Sequence, residues 1–263
     1  MTAYYPNTLN PFARDPYATG APWLSAASQC TDSVIGDNYK GTMVLSGTAL
    51  TSYNEEKGGL GAGLTSLSYV QDYAGRGMGA VQFNTPGSAG NGNATFDPIA
   101  AKIAGTAKAF SIFLSVQLRA VPGGGGFTYL LSFGSSAGLN PFVGFSILTG
   151  TTDLVFDRRN DAGTLVRTPV ATTLGTTPHV IAITYDGVNL NSWIDNAQID
   201  TNFAWGGGAC TVNRFTLGCL RLNGAASGFS NMTFDRFAIA PGVAMNTTLV
   251  DSYRRYLMRR AGI

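Results

Sequence analysis

Pro178-His-Val-Ile-Ala-Ile-Thr-Tyr-Asp-Gly-Val-Asn-Leu-Asn-Ser-Trp-Ile-Asp-Asn-Ala-Gln-Ile199 repeats with a period of two, the period of a strand. Val180, Ala182 and Thr184 fall on one face, and Ile181, Ile183 and Tyr185 on the other. Asp186-Gly187 supplies the positive-φ chemistry of a tight turn. The chain returns with Leu190, Ser192 and Ile194 opposite Asn191 and Trp193, and Asp195-Asn196 turns it again. The stretch predicts a β-hairpin and the start of a third strand.

Outward from the hairpin the same pattern continues. Phe110, Ile112, Leu114, Val116 and Leu118 alternate with Ser111, Ser115 and Gln117, with Phe113 the exception on the polar face. Further strands are expected at 41–53, 67–73, 77–83, 127–133, 142–148, 153–157, 164–170, 211–217 and 232–239, separated by Gly-, Asn- and Pro-rich turns. One or two helical turns fit 98–107. A clear helix is expected at about 247–261, where Asn246-Thr-Thr caps a stripe of Leu249, Val250, Tyr253, Tyr256 and Leu257. Arg254, Arg255, Arg259 and Arg260 crowd its last turns, which reads as a solvated face complementing the helix dipole.

The hairpin resembles the central hairpin of laminin-G-like domains, members of the concanavalin A-like lectin-glucanase sandwiches. In that family a Trp-His or similar pair opens the strand and a Tyr-Asp-Gly turn follows; here Pro178 replaces the Trp and the second turn is Asp195-Asn196-Ala197. Gly77-Met-Gly-Ala-Val-Gln-Phe83 is similar to the family's entry strand. Asp235-Arg-Phe-Ala-Ile-Ala-Pro-Gly242, with a helix after it, is similar to its closing strand and tail. The resemblance runs over residues 77–263 and implies an all-β, concanavalin A-like jelly-roll β-sandwich with a C-terminal helix. It carries no catalytic signature and speaks for fold before function.

Composition sets the outer bounds. A chain of 263 residues is long enough for one large β domain. Only 12% of residues are charged, while 44% are hydrophobic, so the chain folds and is rich in turns. A net charge of +2 argues for neither nucleic acid nor an anionic membrane as partner. Three Cys (Cys30, Cys210, Cys219) do not form a secreted-type disulfide framework, although Cys210 and Cys219 could face each other on adjacent strands. Met1–Pro22 has no apolar signal-peptide core, and no apolar run is long enough to span a bilayer. Synthesis in a cytoplasm without export is the expectation.

Residues 1–39 stand apart from the sandwich expected over 40–263. Pro6, Pro11, Pro16 and Pro22 are interleaved with Tyr4, Tyr5, Phe12 and Tyr17, and Trp23 follows. Proline stiffens such a segment into an extended arm, and the aromatics read as anchors on the arm's own domain or, preferentially, on a neighbouring subunit.

The search for chemistry is decided by scarcity. The two Glu of the chain are adjacent, Glu55 and Glu56, so the Glu-x-Asp-x-Glu strand of glycan-hydrolysing sandwiches is missing. Asp153 and Asp157 share a strand face but lie four residues apart, too far for a retaining pair. His179 is the single His and reads as a packing residue; with Cys210 and Cys219 it makes at most three zinc ligands from separated strands. Gly123–Gly126 and Gly206–Gly208 precede no helix and carry no Lys-Ser/Thr, so neither is a phosphate loop. The loop Asp157-Arg-Arg-Asn-Asp161 places two arginines where a calcium site wants oxygen. No catalytic residue, metal or cofactor is expected. Trp205 and Tyr129 are the aromatics that could stack on a sugar ring, with core packing as the competing role.

Three functions follow in order. The first is a non-catalytic structural protein of a virion, with a capsid-decorating or other particle-surface role in a bacteriophage. It would bind capsid proteins or neighbouring copies through Tyr4, Tyr5, Phe12, Tyr17 and Trp23. The alternative is a carbohydrate-binding, receptor-binding lectin-like module for a cell-surface glycan. The remote alternative is a glycan hydrolase.

Overall fold

The computed structural model describes residues 31–34, 45–46, 49–50, 63–65, 67–71, 78–83, 93–95, 97, 100, 103–106, 108–123 and 126–263 except 170–171. Side chains are described from 97 onward, those of 172, 234–238, 241 and 260 excepted. Among these residues the strands are, in chain order, β1 (Thr31–Val34), β2 (Leu45–Ser46), β3 (Ala49–Leu50), β4 (Gly63–Thr65), β5 (Leu67–Gln71), β6 (Met78–Phe83), β7 (Asn93–Thr95), β8 (Gly105–Thr106), β9 (Phe110–Leu118), β10 (Phe127–Gly134) and β11 (Phe142–Leu148). They continue with β12 (Asp153–Arg159), β13 (Leu165–Arg167), β14 (Thr172–Thr173), β15 (Pro178–Tyr185), β16 (Asn189–Ile194), β17 (Ala197–Ala204), β18 (Ala209–Cys210), β19 (Arg214–Leu217), β20 (Leu220–Leu222), β21 (Ala225–Ser227) and β22 (Met232–Pro241). Helix α1 (Thr247–Ala261) closes the chain.

Two eight-stranded sheets form a sandwich, as the period-two pattern implied. The first runs β17-β16-β15-β9-β22-β6-β5, and β1 adds beside β22; the second runs β13-β12-β11-β10-β19-β7-β4, and β14 adds beside β12. The hairpin of Pro178–Ile199 sits at one edge of the first sheet. Ile181 faces Ile194 and Leu114, and Ile183 faces Ser192 and Ile112. Its turn is built by Asp186, whose carboxylate accepts from the amides of Val188 (2.8 Å) and Asn189 (2.7 Å). Gly187 takes the positive φ of 110° that this turn requires.

The alternation sends one set of side chains inward. Phe110, Ile112, Leu114, Ile181, Ile183 and Tyr185 of the first sheet meet Leu131, Phe133, Phe145, Phe156, Phe215 and Leu217 of the second, all buried. Most of these pairs exclude water from both sheets, and that burial is the main term holding the sandwich together.

The other face of the first sheet is buried too, under α1. Phe113, Val180, Ala182 and Trp193 pack against Val250, Tyr253, Tyr256 and Leu257. Phe113, odd on a polar face, is thereby explained: its ring meets Tyr253 edge-on at 4.6 Å. The helix starts where Asn246 accepts from the Leu249 amide (3.0 Å) and stops at Gly262 with φ 78°. One correction concerns the arginines. Arg255 and Arg259 are exposed, but Arg254 is 5% exposed, because its guanidinium donates to the Asp195 carbonyl and the Asp251 carboxylate. It joins the helix to the hairpin. Thr31–Val34, within the segment read as an arm, pairs antiparallel with Arg236–Ile239. Tyr4, Tyr5, Phe12, Tyr17 and Trp23 lie outside the described residues.

Candidate functional site

Among the described residues, no helix lies over the outer face of the second sheet. Its cover is a hairpin, β20–β21, turned at Asn223-Gly224, both at positive φ (47° and 77°). That Asn-Gly pair is a strong hairpin signal that a strand-by-strand reading passes over. The hairpin folds onto β10 so closely that a Cβ at Gly134 would lie 2.2 Å from the Arg221 carbonyl oxygen. Leu220 and Leu222 pack there with Phe127, Tyr129 and Phe142.

Tyr129 is held between two glycines. A Cβ at Gly144 would stand 2.9 Å from its ring, and one at Gly228 2.8 Å from it, so both flanks must be bare. Phe142 meets the ring edge-on at 6.4 Å. Burial pushes the Tyr129 phenol up to about 12, the Asp157 charge adds to the rise, and Arg167 and Arg159 oppose it. The phenol therefore stays a neutral donor, and among the described residues its hydroxyl has no hydrogen-bond partner.

Beside it runs a line of charge. On β12, Asp153, Asp157 and Arg159 share the outer face, and Asp157 stands across from Arg167 of β13. Asp157 is fully buried; it accepts from Ser146 Oγ (2.7 Å) and from Arg167 Nε (2.5 Å). The Arg167 side chain then reaches over β12 and β11, and its guanidinium lies 3.9 Å above the Phe127 ring. Arg159 lies 5.5 Å over the Phe142 ring and donates to Asn140 Oδ1 at 3.2 Å.

These arginines keep donors in reserve. Arg159 Nε is sealed and unpartnered, while Arg159 Nη2 and the Arg167 terminal nitrogens have no hydrogen-bond partner among the described residues. Together with the Tyr129 hydroxyl they offer N–H and O–H groups beside aromatic rings. Asp157 against Arg159 and Arg167 leaves one positive charge at this end of β12, and Asp153 lies four residues away along the strand. Such an arrangement holds an oxyanion with hydroxyls around it. It supplies no pair of free carboxylates: Asp157 is paired with Arg167, and Asp153 accepts from Thr173 Oγ1 at 2.6 Å.

The other residues singled out in the sequence are placed elsewhere. Trp205 is fully buried between the sheets; its indole N–H donates to the Phe156 carbonyl (3.1 Å) and its ring meets Tyr185 at 5.5 Å. A glycan-stacking role for Trp205 is corrected accordingly, because no face of the ring reaches solvent and core packing uses all of it. Tyr129 is 7% exposed and offers its hydroxyl more than its ring. The carbonyls of Gly207 and Gly208 accept from Arg158 at 2.8 and 2.7 Å, so that glycine run grips a buried guanidinium. Asp161 accepts from the Thr211 amide and hydroxyl (2.8 and 2.7 Å). Cys210 and Cys219 are separate buried thiols, pushed by burial to about 11 and about 12. Among the described residues no three His, Cys, Asp or Glu side chains gather as a metal set, and no helix is long and apolar enough to cross a membrane.

His179 ties the hairpin to itself. Nδ1 pairs with Asp195 Oδ2 (2.6 Å), Nε2 with the Leu174 carbonyl, and Asp195 Oδ1 accepts from the Val180 amide (2.8 Å). Burial acts to lower the His179 pKa, but the Asp195 hydrogen bond and charge, with the Leu174 carbonyl, outweigh it and raise the pKa. This is the structural role expected of the residue.

No family model matches the chain, and no curated protein matches it. Solved structures do. The CBM40 domain of the Ruminococcus gnavus IT-sialidase, bound to α2,3-sialyllactose, is similar at 12% identity over 75% of this chain and 99% of that one, with a TM-score of 0.50. The binding domain of botulinum neurotoxin serotype G is similar at 15% identity and a TM-score of 0.57, over 77% of this chain and 48% of that one. Trypanosoma rangeli sialidase with 2,3-difluorosialic acid is similar at 13% identity and a TM-score of 0.55, over 85% and 32%. The chain thus spans about half of the neurotoxin domain and about a third of that sialidase. At these identities the likeness is one of fold, and the fold is the concanavalin A-like jelly-roll sandwich.

Proposed function

We propose that the chain is a non-catalytic carbohydrate-binding module that takes an acidic sugar on the outer face of its second sheet. The observation that carries this reading is the set of groups without a hydrogen-bond partner among the described residues, Arg159 Nη2, the Arg167 terminal nitrogens and the Tyr129 hydroxyl, beside the Phe127 and Phe142 rings. A carboxylate would take the guanidinium N–H groups, and the phenol would donate to a ring oxygen or hydroxyl. The similar CBM40 structure holds sialyllactose, an acidic glycan, which points to the same ligand class. Asp153 and Asp157, the carboxylates that share one face of β12, are both engaged and offer no free acid and base pair. A glycan array probed with wild type and with Arg159→Ala tests the reading. Acidic glycans should be retained by the wild type and lost by the variant; retention of neutral glycans alone would refute it.

A second reading concerns where the module is carried. The spacing of Pro6, Pro11 and Pro16 among Tyr4, Tyr5, Phe12, Tyr17 and Trp23 favours an arm that docks on a neighbouring copy or a capsid protein of a virus particle. Deleting 2–24 tests it. The deletion spares β1, so the domain should melt as before while losing incorporation into particles; a collapse in melting temperature would refute it.

A further inference from the structure

A recess lies on the other side of the molecule, where α1 meets the β16–β17 turn. Trp193, Asn196, Gln198, Thr247, Asp251, Arg254 and Arg255 line a cleft of about 290 Å³, which is the low end of the size of small-molecule sites. Its lining is rich in donors and poor in free acceptors. Trp193 is 3% exposed, yet its indole N–H has no partner among the described residues and is not sealed from solvent. A buried indole ordinarily finds one. Arg254, 5% exposed, gives its terminal nitrogens to the Asp195 carbonyl and Asp251, and its Nε is sealed, so it contributes charge to the cleft and no free donor. Arg255 is exposed, and Asn196 and Gln198 also line the cleft, the Gln198 amide nitrogen donating to the Asp200 carbonyl at 3.2 Å and leaving its oxygen free. The one carboxylate, Asp251, is already taken by Arg254.

We infer that this cleft is a second ligand site, for a single sugar-sized molecule that bears an oxyanion. Two guanidinium groups against one engaged carboxylate leave a net positive charge, and an oxyanion answers both the Arg255 head and the idle indole N–H. Side-chain amides and the Thr247 hydroxyl are suited to hydroxyls on the same molecule. The first turn of α1 contains no acidic residue, so nothing there repels the anion. The site stands apart from the face bearing Arg159 and Arg167, and it does not depend on that face binding anything.

Titration of the full-length, ¹⁵N-labelled protein followed by NMR tests the inference. Glucuronate, glucose and inorganic sulfate are the probes, and Trp193→Phe assigns the Trp193 indole signal. Glucuronate should shift the Trp193 indole and the Asn196 and Gln198 amides saturably, glucose should not, and sulfate should bind more weakly than glucuronate. Arg255→Ala, a change at an exposed position, should weaken glucuronate about tenfold or more. Arg159→Ala should leave these signals unchanged, which separates this cleft from the acidic-sugar face. Absence of shifts with glucuronate, wild-type binding by Arg255→Ala, or sulfate binding as tightly as glucuronate would each overturn the inference.

Discussion

Removing Arg167 should cost more than removing the charge of its partner, and the structure says by how much. Asp157 is fully buried, with two anchors, Ser146 Oγ and Arg167 Nε. Arg167→Ala leaves the carboxylate charged and buried with the serine alone. Breaking a buried pair in this way costs about 3–5 kcal/mol. The Arg167 side chain is 34% exposed, so water enters where the guanidinium stood, and the lower end, about 3 kcal/mol, is expected. Asp157→Asn is the milder change. It keeps the shape and an acceptor for Ser146, while Arg167 turns to solvent, so the loss is that of a charge-assisted hydrogen bond, about 1.5 kcal/mol. The double variant should resemble Asp157→Asn, because the penalty of Arg167→Ala is the stranded charge. Denaturant unfolding of the four proteins measures this directly. In melting temperature, Arg167→Ala should fall by roughly 6–12 °C, given 2–4 °C per kcal/mol for a domain near this size. Equal losses for the two single variants, or additive losses in the double variant, would refute the account of the pair.

Other expectations are independent of that pair. Gly144→Ala places a Cβ 2.9 Å from the Tyr129 ring, which is itself held by Gly228, and should destabilise by about 1–3 kcal/mol in denaturant unfolding. Trp205→Ala should cost about 3–5 kcal/mol as a core truncation, while the folded fraction keeps its glycan affinity; loss of affinity at full stability would place Trp205 in a site after all. His179 adds a pH dependence. Its pKa is raised on folding, so its contribution to stability is complete below the unfolded value near 6.5 and is lost as pH rises through the folded value. Melting temperature across that window should fall in the wild type and fall less in His179→Gln; identical slopes would contradict the His179–Asp195 link.

Much of the sandwich was legible because strand period and turn chemistry are local properties. Phe110–Leu118 and Phe142–Leu148 form over the residues their alternation marks, and α1 covers the predicted span. The same pattern misled where two layers meet one strand. Phe113 looks misplaced only until α1 is seen to bury the second face of the first sheet. Trp205 sits in a glycine-rich run and reads as a loop aromatic, yet the chain folds its ring inward, with Phe156 as hydrogen-bond partner 49 residues away. The candidate face was illegible for a related reason. Arg167, Phe127, Tyr129 and Asp157 come from three strands, and the place of the Tyr129 ring depends on Gly144 and Gly228 being bare, which no local pattern announces. Arg254 reads as one of four surface cations and is instead a buried tie to the hairpin, because its partner is a backbone carbonyl 59 residues distant.

The measurement that bears most directly on the central claim is a calorimetric titration of the full-length protein with 3′-sialyllactose and with lactose, repeated on Arg159→Ala. Arg159 is the informative position, since its side chain holds one hydrogen bond, to Asn140, and lies over the Phe142 ring, and an unchanged melting temperature of the variant shows that the fold is kept. The account predicts binding of the acidic sugar, a weaker or absent response to lactose, and a loss of about tenfold or more in the variant. Equal binding of both sugars, no binding of either, or undiminished binding by Arg159→Ala would contradict it.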